Sequence, residues 1–206
     1  MRKALSDELK ELEEKIFQMS DIIRNMFSYC HNYQEILKLE DIVNQSEIEI
    51  EFFAIKILAL YQPEAMDLRK IITAIKVNND LERIADHIEN IARDFYLIKD
   101  NVIISIDELF DKVFNVFQKS ISAYKNNNVI IAREVLNGDK EIDNLRNELI
   151  NKIVSLMTED SNLVDSGIKT INIIQNLERI ADLCTNICED VIFLMEGKIF
   201  KHGKEI

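Results

Sequence analysis

Apolar residues recur every three or four positions from one end of the chain to the other. Leu5, Leu9, Leu12, Ile16, Met19, Ile23 and Met26 make one face of a long first helix. The segment "CHNYQ" around Asn32 marks a turn, and a second helix follows to about Tyr61. "QPEAMD" holds Pro63; the residue before a proline is driven out of the helical region, so a boundary falls there. A third helix runs from about Ala65 to near Lys99. Residues 99–107, "KDNVIISID", read as a crossing, with too few β-branched residues to support a sheet.

Leu109, Val113, Val116, Phe117, Ile121 and Tyr124 define a fourth helix, which "KNNN" closes before Val129. The fifth extends to about Met157. "TEDSN" breaks it, with Ser161 placed to cap a sixth helix that continues to Glu196 and stops at Gly197. The pattern predicts an all-α fold of six long helices.

The second half repeats the first. "DLERIAD" at residues 80–86 returns as "NLERIAD" at 176–182, an offset of 96 that Asn90/Asn186, Ile91/Ile187, Asp94/Asp190, Ile57/Ile153 and Ile75/Ile171 also keep. Two copies of this length predict a tandem repeat of two three-helix bundles, residues 1–100 and 101–206.

The repeated face carries the chemistry. Leu81, Ile84, Ala85, Ile88, Ile91, Ala92 and Phe95 cover one arc and form the core side. Cys184 and Cys188 take the positions of Ile88 and Ala92, so they pack rather than react. Glu82, Asp86 and Asn90 form a separate stripe, kept in the second copy as Glu178, Asp182 and Asn186. Acids one turn apart repel, at a cost of a few tenths of a kcal/mol. A single such pair on an acidic helix is ordinarily a solvated face. Here the copies differ at two core positions and agree on the acids, which favours a function. Two carboxylates and an amide suit a hard or borderline cation such as magnesium, manganese or iron. One helix cannot complete a metal site. In the second half "DKEID" offers Asp139 and Asp143; in the first the counterpart is Glu40 with Asn44, or Glu47 with Glu51.

Composition narrows the choice. The 206 residues carry 25 Lys and Arg against 37 Asp and Glu, a formal charge of −12, and only four Gly and one Pro. So acidic a surface repels nucleic acid, and no basic cluster offsets it. No apolar run approaches the roughly 18 residues of a membrane span, and "MRKALSDELKELEEK" lacks a signal-peptide core. A cytoplasmic protein with reduced cysteines is expected. None of His31, His87 and His202 has Glu three residues before it, as a ferritin-like di-iron site requires. No Gly-rich phosphate loop and no nucleophile arrangement occurs. His87, whose repeat counterpart is Leu183, reads as an exposed neighbour, and His202 as a tail residue without a role. Two other readings stay open: a metal-independent structural bundle, and a hydrolytic metalloenzyme.

The two "LERIAD" segments, "QPEAMDLRKI", "GDKEID" and the closing "NICEDVIFLMEGKIFKH" resemble the PhoU family across nearly the whole chain, least over the first helix and residues 100–128. The family pattern reads LERIGD, so Ala85 and Ala181 depart from it; alanine keeps the position small. The resemblance implies multinuclear metal clusters, of iron, or of magnesium, manganese or zinc. Glu82, Asp86 and Glu40 would serve one site, and Glu178, Asp182, Asp139 and Asp143 the other. It also implies a cytoplasmic homodimer that is not an enzyme and reaches the membrane only through its partners. Such a protein acts as a negative regulator, linking the ATPase of a phosphate ABC transporter to a sensor histidine kinase.

Overall fold

The computed structural model describes residues 2–99, 102–197, 200–201 and 204–205. Six helices make up nearly all of it: α1 (Arg2–Ser28), α2 (Tyr33–Tyr61), α3 (Ala65–Ile98), α4 (Asp107–Asn126), α5 (Val129–Glu159) and α6 (Val164–Glu196). A two-residue antiparallel pair, β1 (Phe200–Lys201) with β2 (Lys204–Glu205), follows α6 and has no signal in the apolar pattern. The expected dividing point between residues 100 and 101 lies outside the described residues, as does His202.

The helix ends follow local chemistry. Asn32 caps α2 by accepting from the Glu35 N–H at 3.3 Å, and Asn128 caps α5 by accepting from Ile130 and Ile131 at 3.0 and 3.2 Å. α2 ends at Tyr61, with Gln62 in the left-handed region just before Pro63. Gly197, at φ 70°, closes α6 by donating its N–H to the Phe193 carbonyl. The start of α6 differs from expectation. Ser161 lies inside a one-turn 3-10 helix, Ser161–Leu163, and the cap is the Asp160 carboxylate, which accepts from Asn162 at 2.9 Å. α6 itself begins at Val164 without a side-chain cap. With Asp160 accepting the first free N–H, Ser161 is the first residue of the 3-10 turn and not its cap. Replacing Asn128 by alanine frees two donors at the head of α5 and should cost about 1 kcal/mol in urea denaturation; an unchanged midpoint would show that water replaces the cap.

Leu9, Leu12, Ile16, Met19, Ile23 and Met26 are all buried, as the first-helix pattern requires. α1, α2 and α3 pack on one another, as do α4, α5 and α6; α3 against α6 is the largest interface and α1 touches α4. One hydrophobic cluster runs through all six helices. At the α1–α4 contact Phe27 meets Phe110, Phe114 and Phe117 with ring centroids 5.8, 5.1 and 5.3 Å away. α3 and α6 run antiparallel across their interface: Lys76 pairs with Asp190 at 2.6 Å, while His87, later in α3, meets Asn176, earlier in α6, at 2.9 Å. The two copies of the repeated segment therefore lie beside each other at the centre of the molecule.

Candidate metal centres

The acidic stripe of each repeat faces the neighbouring helix of its own half. In α6, Glu178 is half-buried and Asp182 exposed, and both turn toward α5. Asp139 and Asp143 meet them there. Loss of solvent, then the charges of Glu178, Asp139 and Asp143, push the Asp182 carboxyl up to about 6, against a pull from Arg146. Burial and the charges of Asp143 and Glu178 raise Asp139 as well. All four acids that the sequence assigns to the second half thus stand in one cluster. Arg146 was not among them: its Nη2 lies 2.7 Å from Glu178 Oε1 and 3.9 Å from Asp143 Oδ1.

The first-half cluster is built differently. Burial raises the Glu82 carboxyl, with further pushes from Asp86, Glu47 and Glu40. Glu40 therefore does reach the stripe, accompanied by Glu47, which lies seven residues on and so two turns along the same face of α2. Both pairings the sequence offered stay together in the structure. Asn44 donates to Glu40, and Glu47 and Glu51 both line a cleft between α2, α3 and α6, with Glu47 acting on Glu82 as well. A signal for Glu47 was present: it stands 96 residues before Asp143. Asn90, the amide of the stripe, accepts at its Oδ1 from Arg93 at 2.6 Å.

Among the described residues, no three His, Cys, Asp or Glu side chains stand in an arrangement that could hold a metal ion. The donor sets are nonetheless all oxygen, and each concentrates negative charge without enough cations to match. That is the donor chemistry a hard cation takes. Closing on an ion would require the side chains to rotate and, in the second cluster, Arg146 to yield Glu178.

His87 differs from expectation. It is half-buried at the α3–α6 seam, with its Nδ1 bonded to Asn176 Oδ1. Burial depresses its pKa, and the charges of Arg179 and Arg83 do so further. Leu183, its counterpart in the repeat, is buried. Cys184 and Cys188 are fully buried, and burial pushes the Cys184 thiol up to about 12, so both pack as expected.

The PhoU domain model matches residues 30–95 and again residues 106–191. The chain belongs to the PhoU family. The phosphate-specific transport system accessory protein PhoU homolog of Clostridium acetobutylicum is 31% identical over 211 residues, covering 96% of each chain. The PhoU accessory protein of Escherichia coli is 26% identical, over 90% of this chain and 79% of its own. The crystal structure of PhoU from Pseudomonas aeruginosa superposes with a TM-score of 0.89 at 27% identity, covering 93% of this chain and 99% of that one. That of the phosphate transport system regulatory protein PhoU from Streptococcus pneumoniae gives 0.89 at 25%, covering 96% and 99%. The two matched segments of the PhoU domain contain the two acidic stripes, one in each.

Proposed function

We propose that this chain is an accessory protein of a phosphate transport system and a negative regulator of phosphate uptake and signalling. In this reading it is a cytoplasmic homodimer that holds metal ions at its two acidic clusters. It links the ATPase of a phosphate ABC transporter to a sensor histidine kinase. The accessory role is supported by relatives of that name aligned over nearly the whole chain. No helix among the described residues is long and apolar enough to cross a membrane, which agrees with attachment through partners.

The observation that carries the metal reading is the gathering of Asp139, Asp143, Glu178 and Asp182 from two helices into one cluster. These four would hold an ion in the second half; Glu40, Glu82 and Asp86, with Glu47, would do so in the first. A bound ion supplies positive charge on a chain of −12, which would let a phosphate or an acidic partner surface approach. The carboxylates fix where that charge sits. In this reading the chain acts as a regulator and not as an enzyme.

A second reading keeps the clusters metal-free. It is favoured by the 2.7 Å Arg146–Glu178 pair, which already neutralises part of the second cluster.

Elemental analysis separates the two. Protein purified without chelators should contain iron, manganese or zinc, and the Glu82→Gln, Asp86→Asn, Glu178→Gln, Asp182→Asn variant should not. No metal in either, even after soaking, would leave the metal-free reading standing. Affinity for purified kinase should fall when metal is stripped; if it does not, the ion does not bridge the two proteins.

A further inference from the structure

We propose that a cleft between α2, α3 and α6 receives a lysine or arginine side chain from a helical segment of a partner protein that is basic and apolar. The cleft has a volume of about 690 Å³. Five of its lining residues are carboxylates, Glu47, Glu51, Asp80, Glu189 and Asp190, against the single cation Lys76. The remaining walls include Ile72, Ile75 and Phe193. Carboxylates and hydrocarbon in one cleft suit a cationic head on an aliphatic stem.

Acidity alone would not make this a site; two further observations do. Asn78 lines the cleft and is only 1% exposed. Its Nδ2 is committed to the Glu47 carbonyl at 3.0 Å, and its Oδ1 is a buried acceptor with no partner. Buried acceptors in native proteins are almost always satisfied, so this one calls for a donor. The second observation is Lys76 itself. Its Nζ lies 2.6 Å from Asp190 Oδ1 and 5.5 Å from the Phe193 ring centroid. The protein's own ammonium therefore already shows how this wall holds such a group, by a carboxylate and an aromatic face together. Asp80, 8% exposed, lines the same wall, with Arg83 3.8 Å away.

The neighbouring surface of α2 is the ground for inferring that the cation arrives on a protein segment. On α2 the exposed residues Ile48, Phe52 and Ile55 follow at helical spacing, with Phe52 71% exposed, and Glu47 and Glu51 are their immediate neighbours. An apolar stripe beside an acidic cleft complements a helix carrying leucines on one face and a lysine at its edge. Glu40, Glu82 and Asp86 do not line the cleft, but Glu47 belongs to both, so the test is placed on Glu51 and Glu189, which the metal reading does not use.

The probe is a synthetic amphipathic peptide of about 15 residues, leucine-faced with one lysine, titrated by fluorescence anisotropy into the full chain at roughly 0.15 M salt. The variant Glu51→Gln with Glu189→Gln should weaken binding about tenfold or more. Asp111→Asn with Glu148→Gln, the same charge change on exposed positions of α4 and α5, should alter it less than about twofold. The Ile72 and Ile75 methyl resonances should shift on binding. Equal losses in the two variants, undiminished binding when the lysine is replaced by norleucine, or shifts confined to other isoleucines would each overturn the proposal. So would butylammonium alone binding as tightly as the peptide, because the cleft would then be a site for a free amine.

Discussion

Phe117→Ala should cost about 3–5 kcal/mol of folding stability, the largest loss expected from a single truncation here. The side chain is completely buried, and its ring lies 5.3 Å from Phe27 across the α1–α4 contact. Truncation removes the transfer free energy of the ring and leaves a cavity that the packed helices around it cannot easily close. It also removes an aromatic pair that contributes roughly 0.5–1.5 kcal/mol of its own. Domains of this kind have about 5–15 kcal/mol in total, so much of the margin disappears. Because one cluster runs through all six helices, unfolding in urea should remain a single transition displaced to lower denaturant. A loss below about 1 kcal/mol would mean the phenyl ring is not packed between α1 and α4 as described.

Metal-free protein should gain stability relative to its Asp80→Asn variant as pH falls from 8 to 5.5. Asp80 is buried on α3; burial, and then the charge of Asp190, push its carboxyl up to about 7, despite Arg83 and Lys76. The folded state therefore holds the proton more tightly than the unfolded chain, whose aspartates titrate near 3.8. The stabilisation this provides is complete below the unfolded value and is lost as pH rises through about 7. At about 1.4 kcal/mol per unit, the interval from 7 down to 5.5 amounts to about 2 kcal/mol. Asp182, raised to about 6, acts in the same direction but keeps solvent contact, so its share is small. His87 acts oppositely: its depressed pKa favours the neutral ring, and that contribution fades as pH falls below 6.5. The comparison with Asp80→Asn cancels both. Two parallel stability–pH curves would show that Asp80 is not the buried acid responsible.

The helices and their inner faces were legible because they depend on neighbours three and four positions away. Leu81, Ile84, Ala85, Ile88 and Ile91 share an arc by the geometry of the helix alone, and all are buried. Pro63 and Gly197 ended helices where their backbone preferences dictate. Duplication made the acids visible, since a face repeated at an offset of 96 can be compared with itself.

The composition of each cluster was a different matter. Periodicity puts Glu40 and Glu47 on one face of α2 and leaves Glu51 close by, but only the rotation of α2 against α3 brings Glu47 near Glu82 while it also lines the cleft with Glu51. Arg146 entered the second cluster because α5 crosses α6 at the height of Glu178. His87 was drawn to the seam because α3 and α6 run antiparallel and bring Asn176 opposite. Sequence by itself determined six helices, their apolar faces and a doubled pair of acids, all consequences of short-range backbone geometry. Which side chains those acids meet was decided by tertiary packing, because the angle and register at which two helices cross are set by the whole core and not by either helix alone.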